Sequence, residues 1–166
     1  MLNTSMITPL TLAALLASPA ALATEAPPRL VPVYEAIVDI APSQALGKGP
    51  LGERFIVPIL GGEFHGPGLE GKVLPGGADR QLVRTDGVKQ LDALYELQTS
   101  DGAVLTVRNQ VMVHNLDPDR RYAFSHVSIE APRGPYAGLS QAILVGSLTS
   151  LKPARNAVSI KVYRVE

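Results

Sequence analysis

Cysteine and tryptophan are both absent from the 166 residues, and histidine occurs only three times. Without cysteine there can be no disulfide, thiolate nucleophile, zinc–thiolate centre or iron–sulfur cluster. Charge of one sign is missing as well. Fifteen basic side chains balance fifteen acidic ones, which leaves no footprint for nucleic acid or for an anionic membrane surface. No apolar run approaches the ~20 residues that a membrane-spanning helix needs. Neither a Gly-x-Ser-x-Gly elbow nor a Gly-x-x-x-x-Gly-Lys-Ser/Thr phosphate loop occurs, so the common serine-hydrolase and nucleotide-binding signatures are excluded.

What is present is a chain that can fold. Apolar residues make up 46% of it, enough to bury a core, and the length suits one domain. The first charged side chain is Glu25. Before it runs Leu10-Thr11-Leu12-Ala13-Ala14-Leu15-Leu16-Ala17, followed by Ala21-Leu22-Ala23, a small-x-small cleavage pattern. Residues 1–23 therefore read as a secretory signal peptide, residues 24–32 as a proline-rich extended lead-in, and residues 33–166 as the folded domain. A periplasmic or secreted protein is expected, with no membrane association after cleavage.

Beyond the lead-in, short apolar segments alternate with turn signals. The segments are Val33–Ala41, Arg54–Leu60, Leu69–Leu74, Gln81–Arg84, Leu91–Thr99, Val104–His114, Tyr122–Ala131, Ala137–Leu148 and Val158–Val165. Their punctuation includes Gly61-Gly62, Gly66-Pro67-Gly68, Pro75-Gly76-Gly77, Asp86-Gly87 and Asp101-Gly102. Asp-Gly between alternating segments predicts hairpins with type I′ turns. No segment sustains a helical period, so eight or nine strands predict an all-β sandwich or barrel. Val104–His114 favours the barrel, because one face carries Leu105, Val107, Asn109, Val111 and Val113 while the other is mixed. The pattern does not say which face points inward. The glycines of Gly61–Gly77 are expected as tight turns or as the rim of a pocket.

Candidate chemistry rests on few residues. His65, His114 and His126 offer no i,i+2 or i,i+4 metal pair. Glu63-x-His65 with Glu70 partly matches the cupin pattern, but Glu stands where cupins have His, so no metal or cofactor is expected. Asp79, at a glycine-rich strand entrance, is either a turn cap or an acid–base group tuned by burial and a nearby Arg. Arg54 and Arg80 stand beside acidic neighbours at two strand entrances. Arg108 lies mid-strand, exposed or paired with a carboxylate. Tyr95 and Tyr136 are phenolic donors or packing residues.

Several blocks together carry a family pattern. They are Gly52-Glu53-Arg54, Gly61-Gly62, Gly66-Pro67-Gly68-Leu69-x-Gly71, Val73-Leu74-Pro75-Gly76-Gly77-Ala78-Asp79, Arg84-x-Asp86-Gly87, Leu91-Asp92-Ala93-x-Tyr95, Thr99-x-Asp101-Gly102-Ala103 and Tyr136-Ala137-x-Leu139. Over Val33–Val165 the chain resembles the bacterial and fungal family known as domain of unknown function 3237. The resemblance implies a single antiparallel β-barrel, similar to calycin and allene-oxide-cyclase barrels. It also implies a cofactor-independent cyclase or isomerase acting on a small, often phenolic, molecule; together with a barrel cavity and ionisable residues at glycine-rich entrances, the expectation is a cofactor-independent lyase, cyclase or isomerase for a small hydrophobic or phenolic substrate. Arg80 and Gly138 stand where that family usually has Trp; if those Trp line the pocket, this one is larger, more polar or differently shaped. On this reading Asp79 or His65 moves a proton, Tyr136 or Tyr95 donates a hydrogen bond, and Arg54 or Arg108 holds developing negative charge. Glu63 and Arg80 complete the candidate substrate-binding set. The competing expectation is a non-catalytic carrier of a small apolar ligand. Homo-oligomerisation stays open.

Overall fold

Alternation decides which residues go inside. Along Lys89–Thr99 the buried positions are Leu91, Ala93, Tyr95, Leu97 and Thr99, every second residue. In Val104–Asp117 the buried set is Leu105, Val107, Asn109, Val111 and Val113. A period of two places each set on one side of a pleated strand. The face carrying Asn109 is therefore the inner one.

The computed structural model describes residues 26–117 and 120–166; the expected signal peptide lies outside the described residues. Among the described residues the strands are β1 (Leu30–Ile40), β2 (Gln44–Gly49), β3 (Gly52–Gly66), β4 (Leu69–Val73), β5 (Ala78–Arg84), β6 (Lys89–Thr99), β7 (Val104–Asp117), β8 (Arg120–Glu130), β9 (Leu144–Ser150) and β10 (Ala157–Val165). Strands β6 to β10 are antiparallel neighbours in succession. Strand β1 then closes the sheet, pairing with β10 on one edge and β3 on the other. Strand β3 spans 15 residues and serves two partners on each edge: β1 then β2, and β4 then β5. Two positions are thus shared, and the ten strands close into the expected antiparallel barrel of eight.

Three local features differ from expectation. Gln44–Gly49 becomes strand β2 despite its polar, glycine-containing sequence, because the free edge of β3 templates it. Ala137–Leu148 divides into a short 3-10 helix, Ala137–Gln141, and β9. Gly138 and Ser140 are poor strand formers, and this segment crosses one end of the barrel. There Ser140 Oγ accepts the Ala131 N–H at 2.8 Å, and Tyr136, Leu139 and Ala142 pack onto the core. Finally, the Asp-Gly hairpins are not type I′. Thr99 N–H donates to Ala103 O and Gly102 N–H to Thr99 O, both at 2.9 Å, and Arg84, Gly87 and Val88 repeat the arrangement. Only the glycine has positive φ in each, +89° at Gly102 and +84° at Gly87. Each is a three-residue loop with a left-handed glycine.

The glycines of Gly61–Gly77 let backbones meet. Gly62 has φ +143°, and a Cβ there would stand 2.0 Å from Ile37 O of β1, across the closing seam. Gly62→Ala is therefore expected to destabilise the barrel by about 2 kcal/mol or more, read as a lowered Tm or loss of soluble protein. Gly138→Ala, with nothing within 4 Å of its Cβ, is expected to stay within about 0.5 kcal/mol of the parent. Equal melting of the two variants would contradict this account of the seam.

Candidate functional site

The barrel is packed at one end and hollow at the other. Beneath the 3-10 helix the interior is filled by Phe64, Leu97, Leu105, Ile129 and Leu144, with Tyr34 edge-on to Phe64 at 5.8 Å between centroids. Toward the opposite end, where β6, β8 and β10 begin and β5, β7 and β9 finish, a cavity of about 200 Å³ opens. Its walls are mostly apolar: Val38, Val57, Ile59, Leu91, Val111 and Ile160 among them.

Strand register explains what stands in this cavity. Asp79 of β5 pairs with Ala93 of β6, which pairs with Asn109 of β7. These three form one inward-facing rung. Because the central member is only alanine, space is left between the carboxylate and the amide, two strand spacings or about 10 Å apart. One step deeper, Tyr95 pairs with Val107. One step toward the mouth, Gln81, Leu91 and Val111 form the next rung. Lys89, Arg121 and Lys152 also line the cavity, with Ser43 and Ser150.

The electrostatics follow from burial. Asp79 Oδ2 accepts from Gln81 Nε2 at 2.5 Å, and Oδ1 accepts from the Asp92 backbone N–H at 3.0 Å. Burial pushes the Asp79 carboxyl up from its ordinary value; the Gln81 amide, the Asp92 N–H and the Lys89 charge pull the other way without overcoming it. Burial also lowers Lys89, opposed by Asp79 and reinforced by the positive charges of Arg121 and Lys152. The Tyr95 phenol, fully enclosed, is pushed up to about 12 by burial. Tyr95 and Tyr34 influence each other, yet neither hydroxyl has a hydrogen bond of good geometry, and Asn109 Oδ1 is likewise buried and unpaired. Unpaired buried polar atoms are costly. Here two of them, Tyr95 Oη and Asn109 Oδ1, belong to cavity-lining residues.

Of the residues singled out from the sequence, the structure brings Asp79 and Tyr95 together. Glu63 and His65 are exposed on β3 and share an outer groove with Glu70 and Lys72. Arg54 and Arg80 are exposed along another outer groove, between the β2–β3 hairpin and β5–β6. Arg108 lies outside the barrel and grips Asp92 with two hydrogen bonds, 2.9 and 2.7 Å. That grip holds the Asp92 carboxyl below its ordinary value. Tyr136 sits at the packed end beside Asp101 and Thr99; burial first, then the Asp101 carboxylate, raise its phenol. Neither Arg80 nor Gly138 lines the cavity, and none of Gly61–Gly77 does. Tryptophan at those positions would not shape this cavity, and the glycine stretch joins strands rather than rimming the pocket. Among the described residues no three His, Asp or Glu side chains converge as a metal site.

Asn109, Gln81, Lys89, Arg121 and Lys152 were not anticipated as site residues. Asn109 carried a signal, being the one polar member of an otherwise apolar strand face. The three cations come from different strand ends, which the antiparallel order β6–β7–β8–β9 sets along one rim.

These features define a class: a small closed antiparallel β-barrel with an internal, partly polar cavity open at one end. The chain belongs to the family described as "Protein of unknown function (DUF3237)", whose pattern matches residues 28–165. A UPF0311 protein of Rhodopseudomonas palustris strain TIE-1 is 44% identical over 77 residues, 46% of this chain and 50% of that protein. The matched stretch thus spans about half of that relative. Whole-chain similarity is seen in solved structures. A β-barrel-like protein of Acinetobacter baumannii shares 31% identity at TM-score 0.78, covering 85% of this chain and 98% of that one. A conserved protein of unknown function from R. palustris shares 32% at TM-score 0.77, covering 85% and 99%. An enzyme from Penicillium herquei, 23% identical at TM-score 0.68 over 85% and 96%, shares the fold.

The raised Asp79 pKa has a consequence for stability. A carboxyl whose folded pKa exceeds its unfolded one binds its proton more tightly in the native state. Stability is then lost as pH rises from the ordinary carboxylate range, near 3.8, through the raised value, and the deficit persists at neutral pH. Asp79→Asn should therefore melt higher than the parent at pH 7, with the gain vanishing in acid. An advantage that grew on acidification would contradict the assignment.

Proposed function

We propose that the barrel is a cofactor-independent lyase, cyclase or isomerase that moves a proton on a small hydrophobic or phenolic molecule held in the cavity. The observation that carries this reading is Asp79, a carboxyl with a raised pKa facing an otherwise largely apolar cavity. A group tuned toward neutrality serves as general base or acid near working pH. Each Asp79 oxygen accepts one protein hydrogen bond and keeps a further lone pair for substrate. In the forward step Asp79 takes a proton from carbon next to a carbonyl. Tyr95, whose raised pKa keeps its proton in place, donates to the oxygen on which negative charge develops. Asn109 orients the substrate through its unpaired amide. Return of the proton from Asp79 to a different atom completes an isomerisation.

Mass spectrometry of ligands retained by the purified protein would identify the molecule. With that substrate, Asp79→Asn should lower kcat about 10²–10⁴-fold while the fold is kept. Retained binding with no product from the parent protein would instead identify a carrier, the role that the apolar walls favour. Unchanged turnover in Asp79→Asn would remove Asp79 from the mechanism.

We also propose that the protein works outside the cytoplasm, on the strength of the uncharged N-terminal segment ending Ala21-Leu22-Ala23. Expressed in a Gram-negative host, the full chain should appear in the periplasmic fraction with an intact mass starting at Thr24. A cytoplasmic protein retaining residues 1–23 would refute export.

A further inference from the structure

Three cations and one carboxylate line the cavity. Lys89, at the start of β6, is half-buried; Arg121, near the start of β8, and Lys152, just past β9, stand close enough to disfavour its charge. Among the described residues none of the three lies within ion-pairing distance of a carboxylate. Several arginines elsewhere on the barrel are paired, as in Arg108–Asp92, Arg155–Asp39 and Arg84–Asp86. Asp79 is the single acidic residue in the lining, and it is engaged by Gln81 and the Asp92 N–H. Like charges gathered at a low-dielectric opening, unbalanced by neighbours, repel one another until something negative joins them.

The cavity's size limits what that partner is attached to. A dry apolar cavity of about 150 Å³ accommodates a benzene ring, so about 200 Å³ holds one substituted ring or a short branched chain. The polar atoms are stacked by depth: cations outermost, Asp79 and Asn109 in the middle rung, Tyr95 deepest.

We propose that the cavity's ligand is a small organic acid of about one ring, its carboxylate held at the mouth by Lys89, Arg121 and Lys152 and its apolar body pointing toward Tyr95. This rests on the proposed function in taking the cavity as the working site, and it adds the substrate's charge and orientation. The carboxylate remains bound without reacting, and the Asp79 chemistry takes place on the body beneath it. Guanidinium and ammonium donors form charge-assisted hydrogen bonds to such a group, and the arginine can do so through two parallel bonds.

Benzoate, benzamide and benzylamine share a ring and differ in charge, so they separate the two ideas. Titration of the full domain, followed by NMR through the Tyr95 ring and Asn109 side-chain amide signals, should show benzoate binding about tenfold more tightly than benzamide. Benzylamine should bind least. The preference should fall severalfold in Arg121→Ala/Lys152→Ala, two positions where the side chains are exposed and replacement leaves the core intact. Lys89→Met serves as a second variant that keeps the apolar stem. Equal binding of benzoate and benzamide at the cavity would leave the proposed function standing and overturn the charge assignment. A benzoate preference that survived both variants would overturn it as well. No perturbation of Tyr95 or Asn109 by any of the three would count against the cavity as a binding site, and so against both readings.

Discussion

Strand β1 is hydrogen-bonded along both edges, to β10 from Leu30↔Val165 to Asp39↔Ala157 and to β3 from Glu35↔His65 to Ile40↔Ile59. That double pairing closes the sheet. Closure removes exposed strand edges and divides every strand into a face that sees solvent and a face that sees the interior. With no cysteine available, backbone ladders and apolar burial hold the ring together. The seam tolerates little change, since Gly62 sits against Ile37 O with no room for a side chain. Wherever inward side chains are large, the barrel is solid; wherever they are small, it is hollow.

The site is a result of this contrast. At the packed end Tyr34, Phe64, Leu97, Leu105 and Leu144 occupy the interior, and the 3-10 helix covers it. At the open end alanine at position 93 separates Asp79 from Asn109, and the space between them is the cavity. A carboxyl brought into that low-dielectric space holds its proton more tightly than one in water. Most other charges of the barrel are spent outside. The Arg108–Asp92 and Arg155–Asp39 pairs are exposed, and solvent screening leaves such pairs little weight in stability. The mouth cations, gathered at one opening, have no such partner among the described residues.

Much of the fold was legible in the residues themselves. Leu91-x-Ala93-x-Tyr95-x-Leu97 and Leu105-x-Val107-x-Asn109-x-Val111 have a period that only a strand buried on one face satisfies, and Asp101-Gly102 marks the hairpin between them. Strand β2 was not legible, because Gln44–Gly49 has no apolar face and becomes extended only against β3. The turn type was not legible for a related reason: Asp-Gly permits two loop geometries, and here only the glycine takes a positive φ.

For the site, the sequence by itself determined the ingredients: Asp79 after a glycine-rich turn, Tyr95 and Asn109 among apolar alternates, and an absence of metal-binding pairs. Only tertiary structure decided which of them meet. His65, Tyr136, Arg54, Arg80, Arg108 and Glu63 are as chemically able as Asp79, but register and the inward or outward sense of each strand set them elsewhere. Lys89, Arg121 and Lys152 are separated by dozens of residues and share no motif. They become neighbours because the antiparallel order of β6 to β9 brings the starts of β6 and β8 and the end of β9 to one rim, and strand pairing of that range is a property that no local pattern encodes.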